Sequence, residues 1–340
     1  MINVAINGFG RIGRRVFRLI EKRSDMQVVA INDLADTRTL AHLLKYDSIH
    51  GVYDKTISAD ANHIVVDGRA VPLFNESHPK TIDWKSTKVE FVVEATGKFK
   101  RRDALIHHIT NGAKKVILSV PPTDDDDGIK TVVLGVNEDI LDDSDIIISN
   151  ASCTTNNAAP MIDIVNKLCQ VKEAYITTVH SYTTDQSLHD QPHRDLRRSR
   201  AAGQSIVPTT TGAAKALTKI FPDLAQTIGG CGIRVPVANG SLTDMTLNVA
   251  SAVTIDEINT AFRKASETTL KSILEYTEDP IVSIDIVGNT HSCIFDSGMT
   301  SVIGNMVKII GWYDNETGYS SRIIDLMCNL SKKNTSLSNK

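Results

Sequence analysis

A thiol and an imidazole lie in two separate segments near the middle of the chain. Cys153 stands in the stretch Asn-Ala-Ser-Cys-Thr-Thr-Asn at 150–156, and His180 opens the run His-Ser-Tyr-Thr at 180–183. A cysteine at the start of a predicted helix faces backbone N–H groups and the helix dipole, which stabilise a thiolate. A histidine at a strand end can lower the pKa of that thiol and then act as a general base. This pair is suited to chemistry that holds a substrate on sulfur.

The same residue types have plainer interpretations. A free cysteine is usually a small buried apolar residue, and a single histidine is usually structural. A cysteine hydrolase would also use a thiol and an imidazole. The N-terminal part of the chain decides between these alternatives.

The N-terminal segment carries the pattern of a dinucleotide site. Gly8, Gly10 and Gly13 match G-x-G-x-x-G directly after an apolar strand and before a helical pattern. The glycines permit a tight turn, and the helix start favours a pyrophosphate. Asp33 ends the next strand, 33 − 13 = 20 residues beyond the last glycine, where a carboxylate binds ribose hydroxyls. A carboxylate there repels a 2′-phosphate, so the pattern predicts NAD rather than NADP.

Hydroxyl groups and one arginine are candidates for binding anions. Ser152 and Thr154 flank the thiol, and Thr211-Gly212 precedes a predicted helix. Hydroxyls with helix-start N–H groups suit a phosphate, and the guanidinium of Arg234 suits a second one, with Thr183 near the chemistry. Helix capping and a surface ion pair are the plainer interpretations.

The bulk properties exclude several classes of protein. The chain has 340 residues, with 37 basic and 40 acidic side chains, and the net charge of −3 does not favour nucleic acid or an anionic membrane. Five scattered cysteines without a C-x-x-C pair indicate a reducing compartment and no metal site. Met1 leads directly into an apolar strand, so neither a signal peptide nor a membrane span is expected. We therefore expect a cytoplasmic protein. The acidic run Asp124–Asp127 is interpreted as a solvated loop.

Periodicity predicts an α/β fold with two domains. Short apolar strands alternate with helices up to about residue 150, which is typical of a parallel sheet covered on both faces. Beyond it, alternating strands such as Ser241–Val249 favour an antiparallel sheet with one wet face. The strands expected in the first part lie at 2–6, 28–31, 89–93, 116–118, 132–134 and 146–148. In the second part, strands are expected at 175–179, 241–249, 282–287 and 306–312, and helices at 155–168, 213–220, 255–274 and 318–330.

Taken together, these segments resemble the phosphorylating glyceraldehyde-3-phosphate dehydrogenase family. The resemblance runs from Asn-Gly-Phe-Gly-Arg-Ile-Gly-Arg at 7–14 through 151–156, 180–183, 195–198, 212–216 and 234–236 to Trp-Tyr-Asp-Asn-Glu at 312–316. It covers nearly the whole chain. Asn157 departs from it, because many members carry a second cysteine there, and Thr317 replaces a usual tryptophan.

The resemblance implies a Rossmann NAD-binding domain, an α+β catalytic domain with a largely antiparallel sheet, and a homotetramer. It implies domain limits of 1–150 and 151–316, with an S-loop at 181–204, a helix at 317–330 that packs back on the NAD domain, and a polar tail at 331–340. The basic cluster of the S-loop then needs no nucleic acid.

The resemblance also implies a glycolytic reaction and its residues. Cys153 would attack the aldehyde of glyceraldehyde 3-phosphate, His180 would assist hydride transfer to NAD, and inorganic phosphate would release the thioester. The substrate phosphate would be bound by Thr183, Asp185 and Arg234. The attacking phosphate would be bound by Ser152, Thr154, Thr211 and Gly212. NAD contacts would come from Arg11, Ile12, Asp33, Ser119 and Asn315, besides Gly8, Gly10 and Gly13.

Two other functions stay open at this point. An erythrose-4-phosphate dehydrogenase resembles this family, but it performs a non-phosphorylating oxidation and typically departs at the positions of Thr183 and Thr211-Gly212. A catalytically silent NAD-binding protein would not need both Cys153 and His180.

Overall fold

The computed structural model describes residues 1–123 and 128–337, so the acidic run Asp124–Asp127 and the last three residues of the expected tail lie outside the described residues. The chain divides into two compact units. The first contains Met1–Val132, Asp139–Ala151 and Ser320–Lys340, and the second contains Val133–Glu138 and Ser152–Tyr319.

The first unit is built on a twisted sheet that is mostly parallel. Its helices are α1 (Arg11–Ile20), α2 (Thr37–Lys45) and α3 (Arg102–Thr110). Its strands are β1 (Ile2–Asn7), β2 (Met26–Asn32), β3 (Tyr46–Asp47), β4 (Gly51–Val52), β5 (Ile57–Ala59), β6 (His63–Val66), β7 (Arg69–Phe74), β8 (Phe91–Glu94), β9 (Lys115–Leu118), β10 (Lys130–Thr131) and β11 (Ile147–Ser149).

In the described part of the chain the order of this sheet is β10-β11-β9-β8-β1-β2-β7-β6-β5. The pairs from β10 to β7 are parallel, and β8 and β9 are buried at every position, including the charged Glu94 and Lys115 at their ends. The prediction of a strand at 132–134 is wrong, because the strand of this sheet is formed by Lys130–Thr131. The chain turns directly afterwards, where the Val136 N–H donates to Val133 O.

The edge formed by β5, β6 and β7 is antiparallel and was not expected. The hairpin between β6 and β7 turns at Asp67-Gly68, where both residues have positive φ. Asp-Gly is a strong signal for such a turn, so the sequence did contain the evidence for this hairpin.

The second unit is built on a mixed sheet. Its helices are α4 (Cys153–Cys169), α5 (Ala213–Ile220) and α6 (Ile255–Glu267), and α7 (Thr317–Leu337) begins here and continues in the first unit. Its strands are β12 (Val171–Ser181), β13 (Val207–Thr209), β14 (Ile228–Val235), β15 (Ser241–Val249), β16 (Leu274–Thr277), β17 (Cys293–Asp296), β18 (Ser301–Ile303) and β19 (Met306–Tyr313).

Within the described residues the strand order is β13-β14-β12-β15-β19-β17-β16, with β18 paired to β19. Most pairs are antiparallel, whereas β12–β14 and β16–β17 are parallel. Buried positions alternate along β15, which confirms the alternation expected at 241–249.

Three further expected elements differ from the structure. The helix expected at 255–274 ends at Glu267, and Leu274 begins β16. The strand expected at 282–287 is a turn, in which the Val282 N–H donates to the Asp285 carboxylate and the Asp285 N–H donates to Val282 O. The terminal helix extends to Leu337, beyond the expected end at 330. In the described part of the chain, no helix combines the length and hydropathy that crossing a membrane requires.

A buried polar network crosses the core of the first unit. Trp84 Nε1 donates to His108 Nδ1 at 2.9 Å, so the ring carries its proton on Nε2, which lies 3.1 Å from Glu94 Oε2. Asn7 Nδ2 also donates to Glu94 Oε2 at 2.5 Å. Because β1 and β8 end at Asn7 and Glu94, the network fixes the sheet edge where the dinucleotide loop begins.

Replacing His108 should destabilise the first unit strongly. His108→Leu removes partners from a buried indole N–H and a buried carboxylate, so we expect a loss of about 3 kcal/mol. Urea unfolding followed by circular dichroism measures it. His107→Leu is the matched control, because this neighbouring ring is only half-buried, and it should change stability by less than about 1 kcal/mol. Equal losses in both variants would show that the network contributes nothing specific.

Candidate active site

The dinucleotide loop joins β1 to α1 and is held by close backbone contacts. Gly8 has φ +94°, and a Cβ there would lie 2.6 Å from Thr96 N. A Cβ on Gly13 would lie 2.1 Å from Gly8 O, whereas a Cβ on Gly10 would meet nothing within 4 Å. Gly8 and Gly13 are therefore required by the loop itself. Gly10 faces open space at the start of α1, which fits a pyrophosphate approaching the backbone.

Asp33 follows β2 and binds this loop. Its Oδ2 accepts the Phe9 N–H at 2.7 Å, and its Oδ1 accepts the Ala35 N–H at 3.0 Å. The structure thus brings Asp33 beside the glycines, at the carboxyl edge of the parallel sheet where α/β folds bind nucleotides. Ser119 lies at the same edge, just after β9, where its N–H donates to Glu94 O at 3.0 Å.

Arg11 and Ile12 begin α1, and the Arg11 guanidinium forms a two-pronged ion pair with Asp47. Burial alone would raise the pKa of Asp47, but hydrogen bonds from the His50 N–H and from Arg11 hold it well below its usual range. The charge of Arg11 is therefore already compensated within the first unit.

Cys153 is the first residue of α4. The Ser152 side chain caps this helix, because its Oγ accepts the Thr155 N–H at 3.1 Å. The Cys153 Sγ lies 3.5 Å from His180 Nε2, so the two chemical groups expected from the sequence are in contact. Further along the helix, Asn157 Nδ2 donates to Trp312 O at 3.2 Å.

His180 lies near the end of β12 and has two competing partners at Nδ1. This nitrogen is 2.7 Å from Ser181 O and 2.5 Å from Arg234 Nη1. A neutral imidazole nitrogen either donates or accepts, so only one of these hydrogen bonds exists in each tautomer. When Nδ1 donates to Ser181 O, Nε2 is left as the acceptor that faces the thiol. That tautomer is the one in which His180 can act as a base.

Protonation in this site is governed mainly by burial. Burial and the nearby Arg234 charge lower the pKa of His180 to about 3. Burial also raises the pKa of the Cys153 thiol, against the opposing charge of Arg234. Burial thus opposes the thiolate that the helix start favours. Both shifts favour the neutral thiol and the neutral imidazole, whose Nε2 can accept a proton during reaction.

Among the candidate anion-binding residues, Arg234 and Thr154 lie next to this pair, whereas Thr183 and Thr211 are described by contacts within their own segments. Arg234 lies directly opposite His180 in the β12–β14 register, and its Nη1 donates to Ser181 O at 3.0 Å. Thr154 follows the thiol, and Thr211 Oγ1 accepts the Ala213 N–H at 3.2 Å, beside Gly212 at the start of α5. Thr183 lies in the turn after β12, where its carbonyl accepts the Gln186 N–H.

Asp185 lies in the same loop, but its exposed carboxylate is ion-paired with Arg198. Arg198 was not expected as a site residue. Its Nε donates to Thr209 Oγ1 at 2.9 Å, and its charge contributes to lowering the pKa of Arg234, after burial. Arg198 therefore brings a second guanidinium close to Arg234, while Asp185 compensates its charge. The only signal in the sequence was the position of this arginine in the basic cluster of the S-loop.

Asn315 follows β19 and is oriented by three donors. Its Oδ1 accepts from Ser181 Oγ at 2.9 Å, Ser241 Oγ at 3.0 Å and the Gly240 N–H at 3.2 Å. These contacts fix which way the amide points. The amino group is thereby directed away from the network and is available as a donor.

Glycine substitutions should separate folding from nucleotide binding. Gly13→Ala should destabilise the first unit by about 3 kcal/mol, because its Cβ overlaps a backbone oxygen. Gly10→Ala should leave stability within about 0.5 kcal/mol, but raise the Kd for NAD about tenfold or more, a loss of about 1.4 kcal/mol. Thermal melts and fluorescence titration with NAD measure the two effects. Unchanged NAD affinity in Gly10→Ala would contradict the location of the pyrophosphate.

Comparison with known proteins gives a consistent result for both parts of the chain. Residues 2–102 match the family model "Glyceraldehyde 3-phosphate dehydrogenase, NAD binding domain", and residues 152–315 match the "C-terminal domain" of the same family. Glyceraldehyde-3-phosphate dehydrogenase 2 of Streptomyces avermitilis is 51% identical over 328 residues, covering 96% of this chain and 97% of the relative.

Other relatives extend this similarity over almost the full length. The glyceraldehyde-3-phosphate dehydrogenase of Geobacillus stearothermophilus is 48% identical over 334 residues, which cover 98% of this chain and 99% of the relative. That of Borreliella burgdorferi is 49% identical over 339 residues, covering 97% and 100%. An NAD-binding loop and a cysteine–histidine pair are thus carried by a chain that belongs to the glyceraldehyde-3-phosphate dehydrogenase family.

Proposed function

We propose that this chain oxidises D-glyceraldehyde 3-phosphate to 1,3-bisphosphoglycerate, with NAD and inorganic phosphate, as a glycolytic enzyme. The observation that carries the proposal is the 3.5 Å contact between Cys153 Sγ and His180 Nε2 in a member of this family. A thiol in contact with a neutral imidazole is suited to adding to an aldehyde, because the base can take up the proton that sulfur releases.

The first step is addition of sulfur to the aldehyde carbon. His180 Nε2 takes the thiol proton and passes it to the carbonyl oxygen, which gives a hemithioacetal on Cys153. His180 Nε2 then takes the proton of that hydroxyl as the carbon is oxidised to a thioester. An oxygen of inorganic phosphate attacks the thioester carbon, and the Cys153 sulfur leaves.

The residues that hold NAD are those of the glycine loop and the adjoining sheet edge. Gly8, Gly10, Gly13 and the helix start at Arg11 and Ile12 bind the pyrophosphate, and Asp33 binds the ribose. Ser119 and Asn315 complete the set, with the oriented amide of Asn315 donating to the carboxamide. Bound NAD supplies the acceptor for the hydride.

The cations and hydroxyls of the second unit support two phosphate sites, divided as the family resemblance implies. Arg234 and Thr183 bind the phosphate of the substrate, near Asp185 and its ion-pair partner. Ser152, Thr154, Thr211 and Gly212 bind the attacking phosphate. When a phosphate binds Arg234, the Arg234 guanidinium no longer donates to His180 Nδ1. That nitrogen can then donate to Ser181 O. Substrate binding thereby favours the tautomer that acts as base.

The proposal includes a cytoplasmic homotetramer. All five cysteines are free thiols, which fits a reducing compartment. On the loop 181–204, Leu188 and Leu196 are 80% and 82% exposed, which fits a surface covered by a second copy. Sedimentation velocity should give about four times the chain mass, and a monomer would contradict the assembly.

The decisive assay follows NADH formation from glyceraldehyde 3-phosphate and NAD, with and without inorganic phosphate or arsenate. Parallel reactions replace NAD with NADP and the triose with erythrose 4-phosphate. Turnover that needs phosphate and NAD is the expected result. Turnover that ignores phosphate and prefers the tetrose would favour an erythrose-4-phosphate dehydrogenase, and NAD binding without turnover would favour a catalytically silent protein.

Substitution of the reacting pair should separate the nucleophile from the base. Cys153→Ser should abolish turnover, because the hydroxyl is a far weaker nucleophile. His180→Asn should slow NADH formation by roughly 10²–10⁴-fold, the usual contribution of a general base. Cys231→Ser and His291→Asn are matched controls and should retain turnover. Near-normal hydride transfer in His180→Asn would show that the base assignment is wrong.

A further inference from the structure

The hydroxyl of Tyr313 joins two threonines beside the reacting pair. Tyr313, the last residue of β19, is 1% exposed. Its OH lies 2.9 Å from Thr154 Oγ1 and 2.9 Å from Thr178 Oγ1. A phenol has one proton, so it donates to one threonine and accepts from the other.

These contacts connect the elements that carry the nucleophile and the base. Thr154 follows Cys153 in the first turn of α4, and Thr178 precedes His180 by two residues on β12. The Tyr313 ring also meets the His180 imidazole edge-on, with centroids 5.9 Å apart and an angle of 74° between the planes. Burial raises the pKa of Tyr313, so its hydroxyl keeps the proton that it donates.

The direction of the chain of hydrogen bonds follows from its ends. If Thr154 donated to Tyr313 and Tyr313 to Thr178, the Thr178 proton would need a further acceptor, and none is found for it among the described residues. Thr178 is only 3% exposed, so water does not readily supply one. In the opposite direction Thr178 donates to Tyr313, Tyr313 donates to Thr154, and the last proton belongs to Thr154, whose hydroxyl faces the Cys153 sulfur.

An anion next to Thr154 selects this second direction. The Thr154 hydroxyl can donate to a phosphate oxygen only if its own proton is not used on Tyr313. Successive hydrogen bonds polarise one another, so each upstream hydroxyl strengthens the donor at the end. The reverse direction would point lone pairs of Thr154 at the anion.

We propose that Tyr313 is a positioning residue for the attacking phosphate, acting through a relay from Thr178 through Tyr313 to Thr154. This inference rests on the proposed function, because it takes Thr154 as a ligand of inorganic phosphate. The relay acts on the second half of the reaction, in which phosphate cleaves the thioester. Formation of the thioester on Cys153 precedes this step.

The test compares phosphate affinity with the first turnover. Tyr313→Phe keeps the ring against His180 and removes only the hydroxyl. The KM for inorganic phosphate should rise about tenfold, while the single-turnover burst of NADH without phosphate stays within about twofold of the unaltered chain. Thr178→Val breaks the relay at its start and should raise the same KM by a smaller factor. Thr178→Ser should restore it.

Tyr53→Phe is the matched control. It removes a buried tyrosine hydroxyl in the first unit, and no hydrogen-bond partner is found for that group among the described residues. It should change neither the KM for phosphate nor the burst.

Three results would overturn the relay. A phosphate KM within twofold of the unaltered chain in both Tyr313→Phe and Thr178→Val would show that it has no role. Loss of the burst together with phosphate affinity would show a general contribution to packing. If the KM for phosphate rose as much in Tyr53→Phe as in Tyr313→Phe, loss of any buried tyrosine hydroxyl would weaken phosphate binding equally. Failure of the proposed function is distinct, because the unaltered chain itself would then lack phosphate-dependent turnover.

Discussion

The register between β12 and β14 is the constraint on which the second unit's site depends. These parallel strands place His180 directly opposite Arg234, and the same ladder continues through Ser181 and Val235. A shift of one residue would turn either side chain to the other face of the sheet. The contact between a guanidinium and an imidazole is therefore a consequence of strand pairing. The nucleophile meets this pair because α4 begins with Cys153.

Electrostatics in the site balance desolvation against the positive charge of Arg234. Burial favours the neutral forms of both the Cys153 thiol and the His180 imidazole, and Arg234 reinforces this effect on the imidazole while opposing it on the thiol. Arg198 adds a second guanidinium nearby, whose charge is paired with Asp185. An anion that binds here compensates the charge of Arg234. The Arg234 contact at His180 Nδ1 also links the arrival of an anion to the tautomer of the base.

Different physical effects shape the candidate binding residues of the two units. In the first unit, steric limits dominate, because Gly8 and Gly13 permit backbone approaches that no side chain would allow. The buried Trp84–His108–Glu94 network then holds the ends of the strands below this loop. In the second unit, the arrangement of hydroxyl groups and charges dominates. Tyr313 in the second unit resembles His108 in one respect: it is a buried polar group whose hydrogen-bond partners lie on separate elements.

Much of the molecule could be predicted from local sequence. The glycine spacing, Asp33 after its strand, the helix at Ala213–Ile220 and the alternation at Ser241–Val249 are short-range patterns, and each was recognisable without tertiary information. The predicted boundaries of helices and strands were wrong where contacts within the folded chain overrode local propensity. Residues 282–287 have the composition of a strand, but the Asp285 side chain binds the backbone and forms a turn. Leu274 continues a helical pattern, but it pairs with β17 as part of a strand.

The sequence by itself determined the chemical groups: a thiol, an imidazole, a glycine loop and the hydroxyls and arginines for anions. Only the tertiary structure decided their distances and states. It paired Arg234 with His180, paired Arg198 with Asp185, and joined Thr154 to Thr178 through Tyr313. The partners in these contacts are between 13 and 159 residues apart in the chain. Local patterns carry no information about such pairs, because strand order and desolvation arise only when the whole unit folds.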